Sequence, residues 1–281
     1  MKHQSDYFPV LEIQDFAEQE SQVCNLLFHE LNGERRIDEA HKHDFFILNL
    51  FEKGKGKHII DFVEFPVETH QIHMVFPGQV HQWTIEKETV GYQLMISREW
   101  FEHFFTFLRF SPAFYFQHPV FQVSKEIYQS LLQEFQAIKT ELSSEKKMWI
   151  LIQKRSEIIG LLISKSVENA FKDFEMCTSN PVISRFLNLI EQYFKIERSV
   201  SFYAGKLNIS ANYLNIVCKK NLNASASSLI LNRVLLEAKR LLKISEMSVK
   251  DIVFNLGFYD QASFSKFFKA WTGMTPTEFK N

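Results

Sequence analysis

The stretch Ser248-Val-Lys-Asp-Ile-Val-Phe-Asn-Leu-Gly-Phe-Tyr-Asp-Gln-Ala-Ser-Phe-Ser-Lys-Phe-Phe-Lys-Ala-Trp-Thr-Gly-Met-Thr-Pro-Thr-Glu-Phe279 reads as helix, glycine turn, helix and stop. Ser248 can cap a helix by accepting a backbone N–H, and Ile252, Val253 and Leu256 then recur at helical spacing on one face. Gly257 tolerates the left-handed backbone that turns the chain, and Phe258 follows as an apolar plug beneath the corner. Asp260 can cap the next helix. Its Phe264, Phe267 and Phe268 face inward and leave Gln261, Ala262, Ser265, Lys266 and Lys269 outside.

The same pattern occurs once more upstream. Ser199 to Leu207 and Ser210 to Lys220 read as a second helix pair with Asn208-Ile209-Ser210 as the turn, preceded by a helix over Val182 to Phe194 that turns Phe186, Leu189, Ile190 and Tyr193 inward. Between the pairs, Ser228 to Leu242 carries Leu229, Leu235, Leu236, Ala238, Leu241 and Leu242, a single helix that fixes their separation. On the Ser210 to Lys220 helix, Tyr213, Leu214 and Val217 stand at core spacing, which exposes Ala211, Asn212, Asn215 and Ile216.

These residues carry a family resemblance. Ser248-x-Lys-Asp-Ile through Leu256-Gly-Phe, Asp260, Ser263-Phe-Ser-Lys-x-Phe-Lys and Gly273-Met-Thr-Pro resemble the signature of the AraC/XylS transcription regulators, about a dozen positions at fixed spacing. Tyr203-Ala-x-Lys-Leu-Asn-Ile-Ser-x-Asn-Tyr-Leu-Asn resembles the first reading unit of that family. Three residues depart from the pattern: Val253 replaces the usual Ala, Cys218 the usual Phe and Asn223 the usual Gly. Asn tolerates left-handed geometry better than most residues, so the turn at Asn223 is expected to survive.

The resemblance implies that both reading helices lie on one face and enter successive major grooves, roughly 34 Å apart. Asn212, Asn215 and Gln261 then suit adenine, Ile216 a thymine methyl, and Lys266 guanine or phosphate, while Ala262 leaves room for a base. Lys219, Lys220 and Lys269 act as phosphate clamps, which supply affinity without sequence information.

Charge is distributed to match. The net charge of -1 conceals 14 Lys and Arg against 7 Asp and Glu from Asn180 onward, leaving 18 against 26 in the preceding residues. A basic rear suits a polyanion and an acidic front does not. All ten histidines lie at or before His118, so the two parts do different work. Cys24, Cys177 and Cys218 are too far apart to suggest a disulfide framework or a zinc cluster. No apolar run is long enough to cross a bilayer and Met1-Lys-His-Gln-Ser-Asp lacks the apolar segment of a signal peptide, so a cytoplasmic protein is expected.

From about Val23 to Phe101 short β-type runs alternate with turn signals: Phe45 to Phe51, Lys53-Gly-Lys-Gly56, His58 to Phe62, and His73 to Phe76 before Pro77-Gly78. Together with His41-Lys-His43 and Pro77-Gly-Gln-Val-His81-Gln-Trp83, this resembles the cupin-type sensor barrel that fronts many AraC relatives. His41 and His43 would share a strand face, and His81 could approach them. The cupin enzymes place a Glu three or four residues beyond the second His, where this chain has Ile47 and Leu48. Metal ligation, a structural role and contact with an effector remain open for the three histidines, and Phe45, Phe62 and Trp83 either line an effector pocket or pack the core.

Glu99 to Phe121 reads as a helix and an irregular link. Two amphipathic helices follow, one with Ile127, Leu131, Leu132 and Phe135 on a face and one with Met148, Leu151, Ile152, Ile158, Ile159 and Leu162, separated by Glu141 to Lys147. In family relatives such a hairpin pairs two subunits.

The expected fold is therefore α+β and multidomain. It comprises a cupin-like barrel (1–121), a helical hairpin for dimerisation (122–171), a linker (172–181) and an all-α double helix-turn-helix domain (182–281). The expected partners are double-stranded DNA at a promoter or operator, a small-molecule effector and a second copy of the chain. RNA polymerase is a candidate, and neither a membrane nor a cofactor is expected. A metal-dependent cupin enzyme with a helical appendage, and a DNA-binding regulator with a partner protein as its input, are the alternatives.

Overall fold

Alternating apolar residues in the front of the chain become two five-stranded sheets that face each other. The computed structural model describes residues 10–16, 25–108, 112–170 and 181–281, which fall into two units, one within Val10–Lys172 and one within Asp173–Asn281. The strands are β1 Val10–Leu11, β2 Leu26–Asn32, β3 Arg35–His43, β4 Phe46–Lys53, β5 Gly56–Ile60, β6 Val63–Pro66, β7 Gln71–Val75, β8 His81–Ile85, β9 Val90–Ile96 and β10 Val120–Gln122. One sheet runs β1-β3-β8-β5-β6 and the other β10-β7-β4-β9-β2, antiparallel throughout except for the β1–β3 pair.

The near-continuous apolar run of β4 reflects burial on both faces. Ile47, Asn49 and Phe51 point between the sheets, whereas Phe46 stacks at 4.8 Å on Phe101 of α1 (Arg98–Phe105). Phe45 and Ile60 join one interior cluster, and Phe51, Trp83 and Ile85 another. The chain then continues through α2 (Pro112–Gln117) to β10, which pairs with β7, so the expected irregular link contains a strand. Three residues of edge strand are too few to leave a pattern in the sequence.

α3 (Lys125–Leu142) and α4 (Trp149–Ala170) form the expected hairpin, tied by an Arg155–Glu134 bridge of 2.8 Å. Phe135 packs against Phe28 and Tyr92 on the outside of the second sheet, and Tyr128 stacks on His70 at 4.4 Å. Gly160 lets α4 approach the end of α1 and the turn after it, since a Cβ there would lie 3.6 Å from Phe104 and 3.2 Å from Phe107. Ile150, Ile158 and Leu161 of α4 remain exposed.

The rear unit contains α5 (Pro181–Tyr193), α6 (Val200–Lys206), α7 (Ala211–Leu222), α8 (Ala226–Ile244), α9 (Val249–Asn255), α10 (Gln261–Thr272) and α11 (Pro276–Lys280). A core cluster there gathers Phe186, Tyr203, Leu214, Val234, Ala238, Ile252, Phe264 and Phe268. The expected stop after Gly273 is a further helical turn, because Thr275 and Glu278 close a capping box with Pro276 at its first position. The expected linker at 172–181 lies, apart from Pro181, outside the described residues. Among the described residues no helix is long and apolar enough to cross a membrane.

Candidate nucleic-acid interface and sensor interior

Each helix pair of the rear unit is set by local bonds. Ser248 Oγ accepts from Asp251 N at 3.2 Å and Asp260 Oδ1 from Ser263 N at 2.7 Å, so both expected caps are in place. Between them Gly257 has φ 68°, and a Cβ there would sit 2.3 Å from the Lys195 carbonyl oxygen. Glycine is required twice over, by conformation and by close approach. The Arg198 guanidinium lies 3.6 Å above the Phe258 ring and donates to the Leu256 carbonyl, fixing the corner to the segment between α5 and α6. In the first pair Asn208, at φ 56°, turns the chain and Ser210 Oγ accepts from Tyr213 N at 3.1 Å. Asn223 closes α7 in the left-handed conformation at φ 50°, as expected from its tolerance of that region.

The outer faces of both pairs are open. Gln261, Ala262, Lys266 and Lys269 are exposed and Ser265 is half-buried on α10; Asn212, Lys219 and Lys220 are exposed on α7, with Ile216 53% exposed. Ala211 is half-buried against the core. Two expectations need correction. Tyr213 is 49% exposed and does not belong to the core stripe, which is Leu214, Val217 and Cys218. Asn215 is half-buried, and its Oδ1 accepts from Ala226 N at 3.0 Å, so it anchors the start of α8. Tyr213 therefore joins the exposed face that sequence reasoning assigned to its neighbours.

α8 is tied to α5 by a half-buried ion network. Arg233 binds Glu191 at 2.9 Å and Glu237 at 3.0 Å, and Glu237 also faces Arg240. Burial pushes the Glu237 carboxyl up, but Arg233 and Arg240 outweigh it and hold the group below its ordinary value.

In the front unit His41 and His81 are register partners across β3 and β8, their rings 4.4 Å apart. His43 and His81 are fully inside, and their Nε2 atoms lie 3.1 Å apart. Two further histidines, absent from the sequence-level site, extend this contact. His81 Nδ1 meets His58 Nε2 at 3.1 Å, and His58 Nδ1 meets His73 Nδ1 at 3.1 Å. The chain ends on Phe45 O beyond His43 Nδ1, at 2.6 Å, and on Gln71 Oε1 beyond His73 Nε2, at 3.0 Å. Every ring nitrogen points at its neighbour, so the arrangement is a hydrogen-bonded line; among the described residues no three His, Cys, Asp or Glu side chains are grouped to hold a metal ion. Burial lowers all four rings, His43 and His58 to about 3.

Phe45 is buried and stacks on His43 at 4.2 Å. Trp83 is buried in the interior cluster, and its Nε1 has no hydrogen-bond partner among the described residues. It also edges a depression of about 200 Å³ lined by Ile37, Lys57, Ile59 and Gln82. Phe62 departs from expectation: β5 ends at Ile60, and Asp61 and Phe62 form a two-residue left-handed turn at φ 49° and 68°. Phe62 is half-buried at the hairpin end and not on an inward strand face.

Comparison with known proteins agrees with this division. Residues 25–152 match the model of an AraC-like ligand binding domain and residues 203–281 that of a helix-turn-helix domain. The Msm operon regulatory protein of Streptococcus mutans is 24% identical over 56% of this chain and 56% of its own length. The raffinose operon transcriptional regulatory protein RafR of Pediococcus pentosaceus is 35% identical over 26% and 27%. This chain thus spans about half or less of the curated relatives it matches. The crystal structure of ToxT from Vibrio cholerae is 13% identical over 91% of this chain and 96% of that one, with a TM-score of 0.43. A ligand-binding β domain ahead of a helix-turn-helix domain, matched in that order along most of the sequence, places this chain in the AraC family.

Proposed function

We propose that this chain is a sequence-specific transcription regulator of the cytoplasm, not an enzyme, whose front domain takes a small-molecule effector and controls how the rear domain occupies a promoter. The observation that carries the reading is a rear lobe with two helix-turn-helix units, each leaving a polar, lysine-bearing face open. Asn212, Ile216, Gln261, Ala262, Ser265 and Lys266 are assigned to base edges, with Ala211 beside them, and Lys219, Lys220 and Lys269 to phosphates. Asn215 acts mainly through the placement of α7. The exposed Ile150, Ile158 and Leu161 support pairing of two chains through α4, and the effector acts by shifting populations between arrangements of differing promoter affinity. RNA polymerase is the partner that such occupancy serves.

Selection of bound duplexes from a random library defines the site. At that site Gln261→Ala costs about 1–3 kcal/mol and relaxes discrimination at one base pair. Lys219→Ala weakens all duplexes alike and lowers the salt slope by about one. Failure of the library to converge, or equal losses on specific and random duplexes for both variants, would overturn the proposal.

A further inference from the structure

The line of four buried imidazoles has a proton inventory that its geometry fixes. His43 Nδ1 faces a carbonyl oxygen, which can only accept, so that nitrogen carries a proton. His73 Nε2 at the other end faces Gln71 Oε1. The Gln71 amide cannot turn over without penalty: its Oε1 also accepts from Glu68 N at 2.8 Å, and its Nε2 donates to Glu68 Oε2 at 3.2 Å. His73 Nε2 therefore carries a proton as well. Each of the three N···N contacts of 3.1 Å needs one proton between its nitrogens, since none leaves two lone pairs opposed and two would collide. Three contacts between rings and two at the ends make five hydrogen bonds, whereas four neutral imidazoles carry four ring protons.

We infer that His43, His81, His58 and His73 together bind one proton in excess of neutrality, making the interior of the front domain a one-proton site that bridges its two sheets. His43, His81 and His58 stand on β3, β8 and β5 of the first sheet and His73 on β7 of the second. The surroundings suit a shared cation. The 2.6 Å bond from His43 to Phe45 O is short, as expected of a charged donor, and the Phe45 ring lies flat against His43. The Glu68 carboxylate stands behind Gln71 at the far end.

The other groups around the line are accounted for. His41 stands beside His81, and Asp61 is occupied by Gln79 Nε2 and Val80 N. Lys57 of β5 pairs with Glu64 on the outer surface, and the floor is the neutral Asn49–Gln93 amide pair of β4 and β9. Burial, and His41 beside the line, oppose every proton on these rings, the first excess one included, and a second would complete no further hydrogen bond.

Burial lowers each ring taken singly, His43 and His58 to about 3, so a one-proton site requires the fifth hydrogen bond to outweigh that burial and the line as a unit to titrate above a free imidazole. The contribution of the excess proton to stability is then complete below pH ~6.5 and is lost as pH rises through the folded value. The full-length chain, labelled with ¹⁵N in histidine, is read by two-bond ¹H–¹⁵N correlation at pH 7, with and without Gln71→Leu. The expected result is five protonated ring nitrogens among the four buried histidines. The variant, which removes the acceptor that demands the last proton, should show four with unchanged ring contacts. Four in the parent chain, five in both chains, or a metal ion copurifying at one per chain would each overturn the assignment.

Discussion

Three glycines separate two physical demands that sequence alone merges. Gly257 is left-handed at φ 68°, and a Cβ there meets the Lys195 carbonyl at 2.3 Å; Gly273 is left-handed at φ 78° with nothing within 4 Å of such an atom; Gly205 lies in α6 with neither constraint. Left-handed backbone costs an alanine about 1–2 kcal/mol, so Gly273→Ala should destabilise the rear unit by about that much. Gly257→Ala carries the same strain plus a contact that only a backbone shift can relieve, worth about 1–3 kcal/mol more, for about 2–5 kcal/mol altogether. Gly205→Ala should stabilise by roughly 0.5–1 kcal/mol, because it removes backbone freedom from the unfolded chain.

Urea unfolding followed by circular dichroism ranks the three, and amide hydrogen exchange locates the change. In Gly257→Ala the amides of α9, α10 and the segment between α5 and α6 should lose protection together, since Arg198 ties that corner across them. Specific DNA affinity should fall with it. If Gly257→Ala proved no more destabilising than Gly273→Ala, the close approach to Lys195 would not hold the corner and the argument would fail.

Glu237→Gln should cost about 1–3 kcal/mol at pH 7 by weakening charge-assisted bonds to Arg233 and Arg240. Because the folded carboxyl titrates below its ordinary value, its contribution is present above pH ~4.5 and lost as pH falls through the folded value. The gap between parent and variant should therefore narrow in acid, and a gap of constant size in denaturation at pH 7 and pH 4 would refute the assignment. Asn215→Ala should lower stability by about 1 kcal/mol through loss of the acceptor for Ala226 N, and Asn215→Asp, which keeps that acceptor, should recover it. Equal melting temperatures for the two variants would sink that reading. Leu161→Lys, on the exposed face of α4, should leave the melting temperature of the front unit within a degree or two yet halve the mass that the proposed pairing through α4 gives in light scattering; a parent chain of monomer mass, or an unchanged mass in the variant, would remove α4 from any interface.

What could be read from the sequence divides by the range of the interactions responsible. The Ser248 to Phe279 corner was legible because cap, glycine, plug and second cap all act within a few residues of one another. Tyr213 is ambiguous in the sequence because apolar residues at 213, 214, 217 and 218 fit two helical registers, and only packing against the core decides that Leu214, Val217 and Cys218 form the stripe. The role of Asn215 is hidden in the sequence because its partner lies 11 residues onward, at the start of another helix. The histidine line is the extreme case. Period-two alternation does place His58 with Ile60, and His73 with Gln71, on one face of their strands. It says nothing of the strand order β3-β8-β5, nor that β7 of the other sheet lies opposite, and those two facts bring four rings spread over thirty-eight positions into one chain. Residues that act through a local turn announce themselves; residues that act by meeting across neighbouring strands and between two sheets do not, and the buried polar line inside the front domain belongs wholly to the second kind.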